Sequence, residues 1–174
     1  NKKPTIVCDQ DIPHLADWLS RCCQVVPYQA GSLSSKELAV ADGLVVRSVT
    51  PVTARLLSHS PCRWIGSATA GVNHLEIPAL VSAGVDWAYA PGANAPAVCE
   101  YVLSALFVAH EQGHLSLQAK IAVVGVGQVG SRVAAACEQR GFQVVAYDPP
   151  REQREPSFSS ASLSDVLGCN FVVV

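Results

Sequence analysis

Three glycines occupy a short segment between an apolar run and a helical pattern, where their spacing could serve phosphate binding. Gly125, Gly127 and Gly130 follow the order G-x-G-x-x-G directly after a β-branched run. In a strand–turn–helix unit the first glycine allows a tight turn, the second lets a pyrophosphate approach the backbone, and the third lets the helix pack on the strand. The pattern predicts dinucleotide binding at the start of the helix, and the alternative is a purely structural turn.

An acid ends the second strand pattern of the same segment. Asp148 lies 23 positions after Gly125 (148 − 125), near the spacing expected of an acid that binds a ribose 2′-OH. Against the 2′-phosphate of NADP, a carboxylate ~4 Å away would be repelled by about 4 kcal/mol at an effective dielectric near 20. We therefore predict NAD as the cofactor, with Arg151 as the counter-argument because an arginine can accept a 2′-phosphate. Gln128 and Val129, in the middle of the glycine loop, are further predicted cofactor contacts.

Hydroxyl side chains follow two strand patterns in the first half of the chain. Ser48 and Thr69 are predicted to contact a substrate, because ligands of parallel sheets bind at the carboxyl ends of strands. Arg47 could hold a carboxylate or phosphate through two parallel hydrogen bonds. The alternatives are a cap or loop hydrogen bond for each hydroxyl and a structural role for Arg47. His74 is near the predicted cleft without being the expected catalytic histidine, and Glu100 is expected to be a buried acid bonded to nearby backbone.

The elements that must position these residues alternate between strand and helix, which predicts parallel sheets covered on both faces. In the first half, strands are predicted at 5–8, 24–28, 44–46, 64–67 and 87–89, and helices at 13–22, 35–40, 53–57 and 77–83. A long helix follows at 95–111. The dinucleotide unit then has strands at 121–124, 143–147 and 170–174, a helix at 128–140 ending at Gly141, a loop at 149–157, and a helix at 161–167 capped by Ser160.

Composition excludes several classes of protein. Hydrophobic residues make up 49% and charged residues 15% of the chain, as in a packed globular protein. The net charge of −2 gives no basic surface for nucleic acid. The longest apolar stretch, 93–109, is shorter than the ~20 residues of a membrane span and is predicted to be a buried helix. Seven cysteines without a C-x-x-C spacing favour neither a disulfide framework nor a metal site, and fit a reducing cytosol.

The end of the sequence predicts an incomplete fold. A full dinucleotide-binding sheet has two halves in strand order 3-2-1-4-5-6, and only the first half is expected here. The sequence ends in a strand pattern at 170–174 whose last four residues are all apolar, and it has no methionine. We therefore expect an N-terminal piece of a longer protein. We also expect strand 121–124 to lack its fourth-strand neighbour and to expose an unpaired apolar edge.

Four segments together resemble one known family. They are VRSVT at 46–50, GSATAGVNH at 66–74, PGANAPAVCEYV at 91–102 and DPP at 148–150. Across its whole length the chain resembles the D-isomer-specific 2-hydroxyacid dehydrogenases, with Ala93 in place of their usual cysteine. The resemblance implies an α/β fold in three parts: a flavodoxin-like substrate domain at 1–94, a hinge helix at 95–112, and at 113–174 the first half of a Rossmann-type doubly wound parallel sheet that binds NAD and is incomplete at its C-terminal side.

The resemblance also implies an activity. It is the NAD-dependent oxidation of a small phosphorylated 2-hydroxy acid, namely 4-phospho-D-erythronate in the relatives that the chain most resembles, on the route to pyridoxal 5′-phosphate. The implied protein is a cytoplasmic homodimer when full length, without nucleic-acid, membrane or metal partners. The family's catalytic arginine, glutamate and histidine would follow Val174, so no catalytic residue is predicted within this chain. The alternatives are another 2-hydroxy acid such as 3-phosphoglycerate, or a non-catalytic nucleotide-binding module.

Overall fold

The computed structural model describes residues 3–174, and the chain divides between Pro91 and Gly92 into two compact units. Each unit contains one sheet whose strands are all parallel, with helices in the connections. This confirms the predicted α/β fold class.

The first unit has a five-stranded sheet in the order β2-β1-β3-β4-β5. This is the flavodoxin-like order, and the chain reverses direction across the sheet between β1 and β3. The carboxyl ends of β1 and β3 therefore form the switch point where ligands of such sheets bind. The elements are β1 (Thr5–Asp9), α1 (Leu15–Leu19), β2 (Gln24–Tyr28), α2 (Ser35–Leu38), β3 (Gly43–Val46), α3 (Ala54–Leu57), β4 (Trp64–Ser67), α4 (Ile77–Ser82) and β5 (Asp86–Tyr89).

Strand residues at the centre of this sheet are buried on both faces. All four residues of β3 are buried, and its side chain Leu44 is packed among Val7 of β1 and Ile65 of β4. Leu38 and Leu80 cover the sheet from the helices. Each such aliphatic side chain contributes roughly 1.5–3 kcal/mol when it leaves water. This burial explains why strand patterns of continuous apolar residues were readable in the sequence.

The second unit begins with a long helix and a three-stranded sheet in the order β7-β6-β8. Cys99, Leu103 and Leu106 of the long helix share one core with Val133 and Cys137 of the next helix. The elements are α5 (Ala95–Glu111), β6 (Lys120–Val124), α6 (Gly130–Glu138), β7 (Gln143–Tyr147), α7 (Pro149–Arg154), α8 (Leu163–Leu167) and β8 (Phe171–Val173). The hinge role of α5 and the boundaries 1–94, 95–112 and 113–174 remain predictions.

The expectation that the strand at 121–124 exposes an unpaired edge is wrong. β6 is the central strand of its sheet, with β7 on one side and β8 on the other. The N–H of Asn170 donates to the carbonyl of Lys120 at 2.9 Å, and the side-chain oxygen of Asn170 accepts from the N–H of Lys120 at 3.0 Å. The connection from β7 to β8 is long enough to cross over, as a parallel neighbour requires. The outer strands of this sheet are therefore β7 and β8.

Part of that connection lies beside β7. The N–H of Ala161 donates to the carbonyl of Ala146 in β7 at 2.8 Å, and the N–H of Asp148 donates to Ser160 Oγ at 3.0 Å. A short irregular segment thus takes the side of β7 where a further strand would pair.

Several element boundaries differ from the prediction. The loop expected at 149–157 contains α7, because Asp148 caps a helix whose first residues are prolines with a helix-compatible φ. Helix α8 begins after Ser162 rather than Ser160, since Ser162 and Asp165 form a reciprocal capping box. Helix α1 is shorter than 13–22.

Helix α5 is only partly buried, contrary to the expectation of a buried helix. Its side chain Tyr101 is 76% exposed, and Glu100 is exposed rather than buried as predicted. A helix packed against a single core buries one stripe and leaves the rest of its surface in contact with water. Within residues 3–174, the structure contains no helix long and apolar enough to cross a membrane.

Candidate functional site

The glycine turn connects β6 to the start of α6, as the sequence predicts. Gly125 has φ +82°, a conformation that favours glycine, and a Cβ at Gly130 would collide with the carbonyl oxygen of Gly125. A Cβ at Gly127 would meet no atom within 4 Å, so the backbone there faces open space. Val129 occupies the N-cap position of α6. The turn therefore leaves room for a group to approach the backbone at the helix start.

Asp148 lies against this turn and links it to α7. Its Oδ2 accepts from the N–H of Val126 at 2.8 Å, and its Oδ1 accepts from the N–H of Arg151 at 2.9 Å. The side chain is partly buried. A carboxylate offers about four acceptor positions, so roughly two remain for further donors such as ribose hydroxyls.

Arg151 is bound within the same cluster. Its Nη1 donates to the carbonyl of Val126 at 2.8 Å and to Ser131 Oγ at 3.0 Å, while Nε and Nη2 donate to the Glu155 carboxylate at 2.7 and 3.1 Å. The hydrogen bonds from Arg151 lower the pKa of Glu155, which keeps that carboxylate charged. Four hydrogen bonds thus engage a side chain with five N–H donors. Arg151 is already paired with an acid, which weakens its case as a 2′-phosphate acceptor.

A cleft with a volume of about 760 Å³ adjoins these residues. It is lined by the turn, by the start of α6 and by α7, so the structure brings Gly127 and Gln128 to the same cleft as Asp148. The side chain of Gln128 also lies against Gly92, where a Cβ would come within 3.0 Å of its Oε1. Space, backbone N–H groups at a helix start and a partly free carboxylate are the features that a dinucleotide requires.

In the first unit, Ser48 and Thr69 lie at the same edge of the sheet. Val46 of β3 pairs with Ser67 of β4, and each candidate hydroxyl lies two residues beyond that pair (48 − 46 and 69 − 67). Ser48 is exposed, and Thr69 is partly buried. The Thr69 hydroxyl donates to the carbonyl of Gly71 at 3.1 Å. The predicted substrate contacts are thus brought to one carboxyl-end edge.

Arg47 is held between two carboxylates at the end of β1. Its Nε donates to Oδ2 of the buried Asp9 at 2.9 Å, and its Nη2 donates to Oδ2 of Asp11 at 2.6 Å. These ion pairs compensate the buried charge of Asp9, which would otherwise be costly. They favour the structural role that the sequence left open as the alternative for Arg47. Nearby, burial raises the pKa of Tyr28 to about 12, although its hydroxyl bonds to Thr50 at 3.0 Å.

Comparison with known sequences decides the family. The profile of the D-isomer specific 2-hydroxyacid dehydrogenases, catalytic domain, matches residues 5–166. The chain belongs to this family. The matched region includes the glycine turn with Asp148, and it includes Ser48 and Thr69 in the first unit.

Curated relatives narrow the similarity within the family. Erythronate-4-phosphate dehydrogenases of Shigella flexneri and of Shigella boydii are each 38% identical to this chain over 163 residues, which are 93% of the chain and 43% of the relative. The chain therefore spans less than half the length of the curated relatives it matches.

Solved structures of the family share the fold. A cofactor (NAD+)-bound 3-phosphoglycerate dehydrogenase of Entamoeba histolytica superposes with a TM-score of 0.68 and 22% identity, over 84% of this chain and 54% of that one. An NAD-dependent formate dehydrogenase of Staphylococcus aureus in complex with NAD gives a TM-score of 0.68 and 18% identity, over 93% and 61%. At these identities the likeness establishes the fold alone.

In this family member, several residues at the two sites were not singled out from the sequence. Ser67, buried at the end of β4, bonds to both Thr69 and His74, and a hydroxyl closing an apolar strand was the available signal. Burial lowers the pKa of the His74 imidazole. Asp9 and Asp11 could have been found as the D-x-D at the end of the first strand pattern. Within residues 3–174, the structure contains no group of three or more His, Cys, Asp or Glu side chains that could hold a metal ion.

Proposed function

We propose that this chain is the nucleotide- and substrate-binding part of an NAD-dependent dehydrogenase that oxidises 4-phospho-D-erythronate at C2 to the 2-oxo acid. The observation that carries the proposal is its 38% identity to curated erythronate-4-phosphate dehydrogenases along 93% of the chain. The family match supports a 2-hydroxy acid as the substrate class. We extend the proposal to a role in pyridoxal 5′-phosphate synthesis, as a cytoplasmic homodimer when full length, on the strength of the family resemblance alone.

NAD is the proposed cofactor, and its nicotinamide would accept the hydride from C2. The N–H groups at the start of α6 would face the pyrophosphate, with Gly127 leaving room for its approach. Gly125 and Gly130 would hold the turn, Gln128 and Val129 would lie along the phosphates, and Asp148 would accept from the ribose hydroxyls. The pairing of Arg151 with Glu155 supports NAD over NADP, because that guanidinium is already compensated.

For the substrate, Ser48 and Thr69 are the proposed contacts. Both are hydroxyls beyond the carboxyl ends of β3 and β4; Ser48 is exposed and Thr69 is partly exposed. Arg47 is the weaker candidate, since Asp9 and Asp11 already bind its guanidinium. The acid–base group and the carboxylate-binding arginine that the oxidation needs are proposed to lie in sequence beyond Val174, as in the family.

The direct test is ligand titration of the chain, with the NMR chemical shifts of its backbone amides as the readout. We expect 4-phospho-D-erythronate to shift the amides of Ser48 and Thr69, and NAD to shift those of Gly127 and Val129. A 3-phosphoglycerate titration is the matched comparison, because it shares the phosphate and the 2-hydroxy acid but has one carbon fewer.

The outcomes separate the candidate functions. Tighter binding of 4-phospho-D-erythronate than of 3-phosphoglycerate supports the proposed substrate, and the reverse order replaces it. Binding of NAD with no response to either acid would instead favour a non-catalytic nucleotide-binding module.

A further inference from the structure

Three hydrogen bonds at the end of β4 form a chain that leads from a histidine to the proposed substrate contact. His74 Nε2 lies 2.8 Å from Ser67 Oγ, and Ser67 Oγ lies 2.7 Å from Thr69 Oγ1. Thr69 Oγ1 in turn lies 3.1 Å from the carbonyl oxygen of Gly71. Ser67 is only 4% exposed, so its two bonds are shielded from competing water.

The direction of each bond follows from counting protons. A carbonyl can only accept, so the single hydroxyl proton of Thr69 points to Gly71. Thr69 must then accept from Ser67, and Ser67, having used its own proton, must accept from the ring of His74. His74 therefore carries a proton on Nε2. Because burial lowers its pKa, its neutral form is favoured, with Nδ1 unprotonated.

The backbone at both ends of this chain is also fixed. The N–H of Ala90 donates to the carbonyl of Thr69 at 3.1 Å, and the N–H of Val52 donates to the carbonyl of His74 at 2.8 Å. The side chain of Thr69 can still rotate, and Ser67 is the buried group that hydrogen-bonds to its oxygen. Thr69 itself is partly exposed and can meet a ligand.

We propose that His74 is a positioning residue that acts through Ser67 to fix the Thr69 hydroxyl, so that its proton is presented to an anionic oxygen of the substrate. This rests on the proposed function, in which Thr69 contacts a phosphorylated 2-hydroxy acid. On binding, the Thr69 proton turns from the carbonyl of Gly71, an exposed residue, to the ligand, and water replaces it at Gly71. All three donors then point toward the negative charge, an arrangement in which hydrogen bonds strengthen one another.

The arrangement also selects the kind of ligand atom. With its oxygen already accepting from Ser67, Thr69 is best used as a donor, which suits a phosphate or carboxylate oxygen rather than a neutral N–H group. No proton is lost or gained by His74 in this step, because each group keeps its own hydrogen. The histidine is therefore a support for binding and takes no part in the oxidation itself.

The first test needs no ligand. Long-range ¹H–¹⁵N NMR of the ring of His74 should show the neutral tautomer protonated on Nε2, and a proton on Nδ1 alone would overturn the proposal. Three-bond couplings of the Thr69 methyl group should report a single side-chain rotamer. We expect this rotamer to become averaged in His74→Leu and to be kept in His74→Gln, whose side-chain amide can donate to Ser67.

The second test adds the ligand to the same variants. We expect His74→Leu and Ser67→Ala to weaken binding of 4-phospho-D-erythronate by about tenfold, the effect of about one lost hydrogen bond. His74→Gln should restore binding to within about twofold of the unmutated chain. Ser60→Ala is the matched control, since it removes a serine hydroxyl that donates to the carbonyl of Leu38 at 3.0 Å in the same unit.

The two tests separate this inference from the proposed function. An ordered Thr69 rotamer in His74→Leu refutes the positioning role, whatever the ligand does. The Thr69 rotamer can become averaged in His74→Leu while the unmutated chain does not bind 4-phospho-D-erythronate. That result supports the positioning role and refutes the proposed substrate. Equal weakening in His74→Leu and His74→Gln would show a merely structural requirement for the imidazole.

Discussion

The proposed preference for NAD over NADP can be tested by removing the charge of Asp148 while keeping the shape of its side chain. Asp148→Asn leaves one oxygen in place and replaces the other by an amide group. The unmutated carboxylate, ~4 Å from a 2′-phosphate, would repel it by about 4 kcal/mol at an effective dielectric near 20. Since Asp148 is partly exposed, half of that value, about 2 kcal/mol, is the more realistic figure. This corresponds to about 30-fold in the ratio of the two dissociation constants.

The substitution also has a structural cost that must be measured. Both carboxylate oxygens accept a backbone N–H, one from Val126 and one from Arg151, and asparagine can serve only one of them. Leaving the other unpaired should lower the free energy of unfolding by about 1–3 kcal/mol. Thermal unfolding of the variant therefore accompanies the binding assay.

The assay is titration of the chain with NAD and with NADP, in which binding is measured by calorimetry or by NMR of the amides in the glycine turn. We expect the dissociation constant for NADP divided by that for NAD to be about 30-fold smaller in Asp148→Asn than in the unmutated chain. Asp165→Asn is the matched control, because Asp165 also accepts hydrogen bonds at a helix start, from Ser162, but lies outside the glycine turn. Equal affinity of the unmutated chain for both nucleotides, or an unchanged ratio in the variant, would refute the argument from charge.

Three further predictions follow from the same geometry. Gly130→Ala should lower the free energy of unfolding by at least about 1–3 kcal/mol, because the added Cβ collides with the carbonyl of Gly125. Gly127→Ala should fold normally and only weaken the binding of NAD, because its Cβ would meet no atom within 4 Å. Denaturant titration measures the first effect, and calorimetry with NAD measures the second. Burial raises the pKa of Tyr28 to about 12, above about 10 in the unfolded chain, so its stabilising contribution is complete below pH 10 and falls by about 2–3 kcal/mol as the pH rises to 12. Denaturant unfolding should show this loss relative to Tyr28→Phe, and parallel pH profiles would contradict it. Finally, the 174 residues alone should give no NADH with 4-phospho-D-erythronate and NAD above a boiled control, since the acid–base group is expected elsewhere; steady NADH formation would locate the chemistry within this chain.

Most of the fold was predictable because its signals are local. A buried parallel strand such as β3 is a short apolar run, and the glycine spacing fixes where β6 turns into α6. The position of β8 was not predictable in the same way. Its pairing with β6 depends on where the long connection after β7 travels, and no single residue in that connection specifies its path.

The sequence predicted which types of residue lie at the candidate site, but not which side chains they hydrogen-bond or pair with. Hydroxyls and acids at strand ends could be located, because strand ends are readable. That Arg47 is taken up by Asp9, or Arg151 by Glu155, depends on which charges the fold brings within reach. The contact of His74 with Ser67 was likewise not predictable, since it arises from a loop that returns to its own strand.

The N–H and the carbonyl of Val126 both already have hydrogen-bond partners within the protein, and this limits how the glycine turn can bind a ligand. Its N–H is committed to Asp148, and its carbonyl receives Arg151 and Ser131. Such a turn cannot rotate this peptide to offer its N–H to a phosphate without breaking contacts to α7. Under the proposed function, a phosphate would therefore be bound by the amides after Val126, on a loop whose conformational entropy has already been lost on folding. The Val126 amide should accordingly exchange its hydrogen with solvent slowly even before any nucleotide binds.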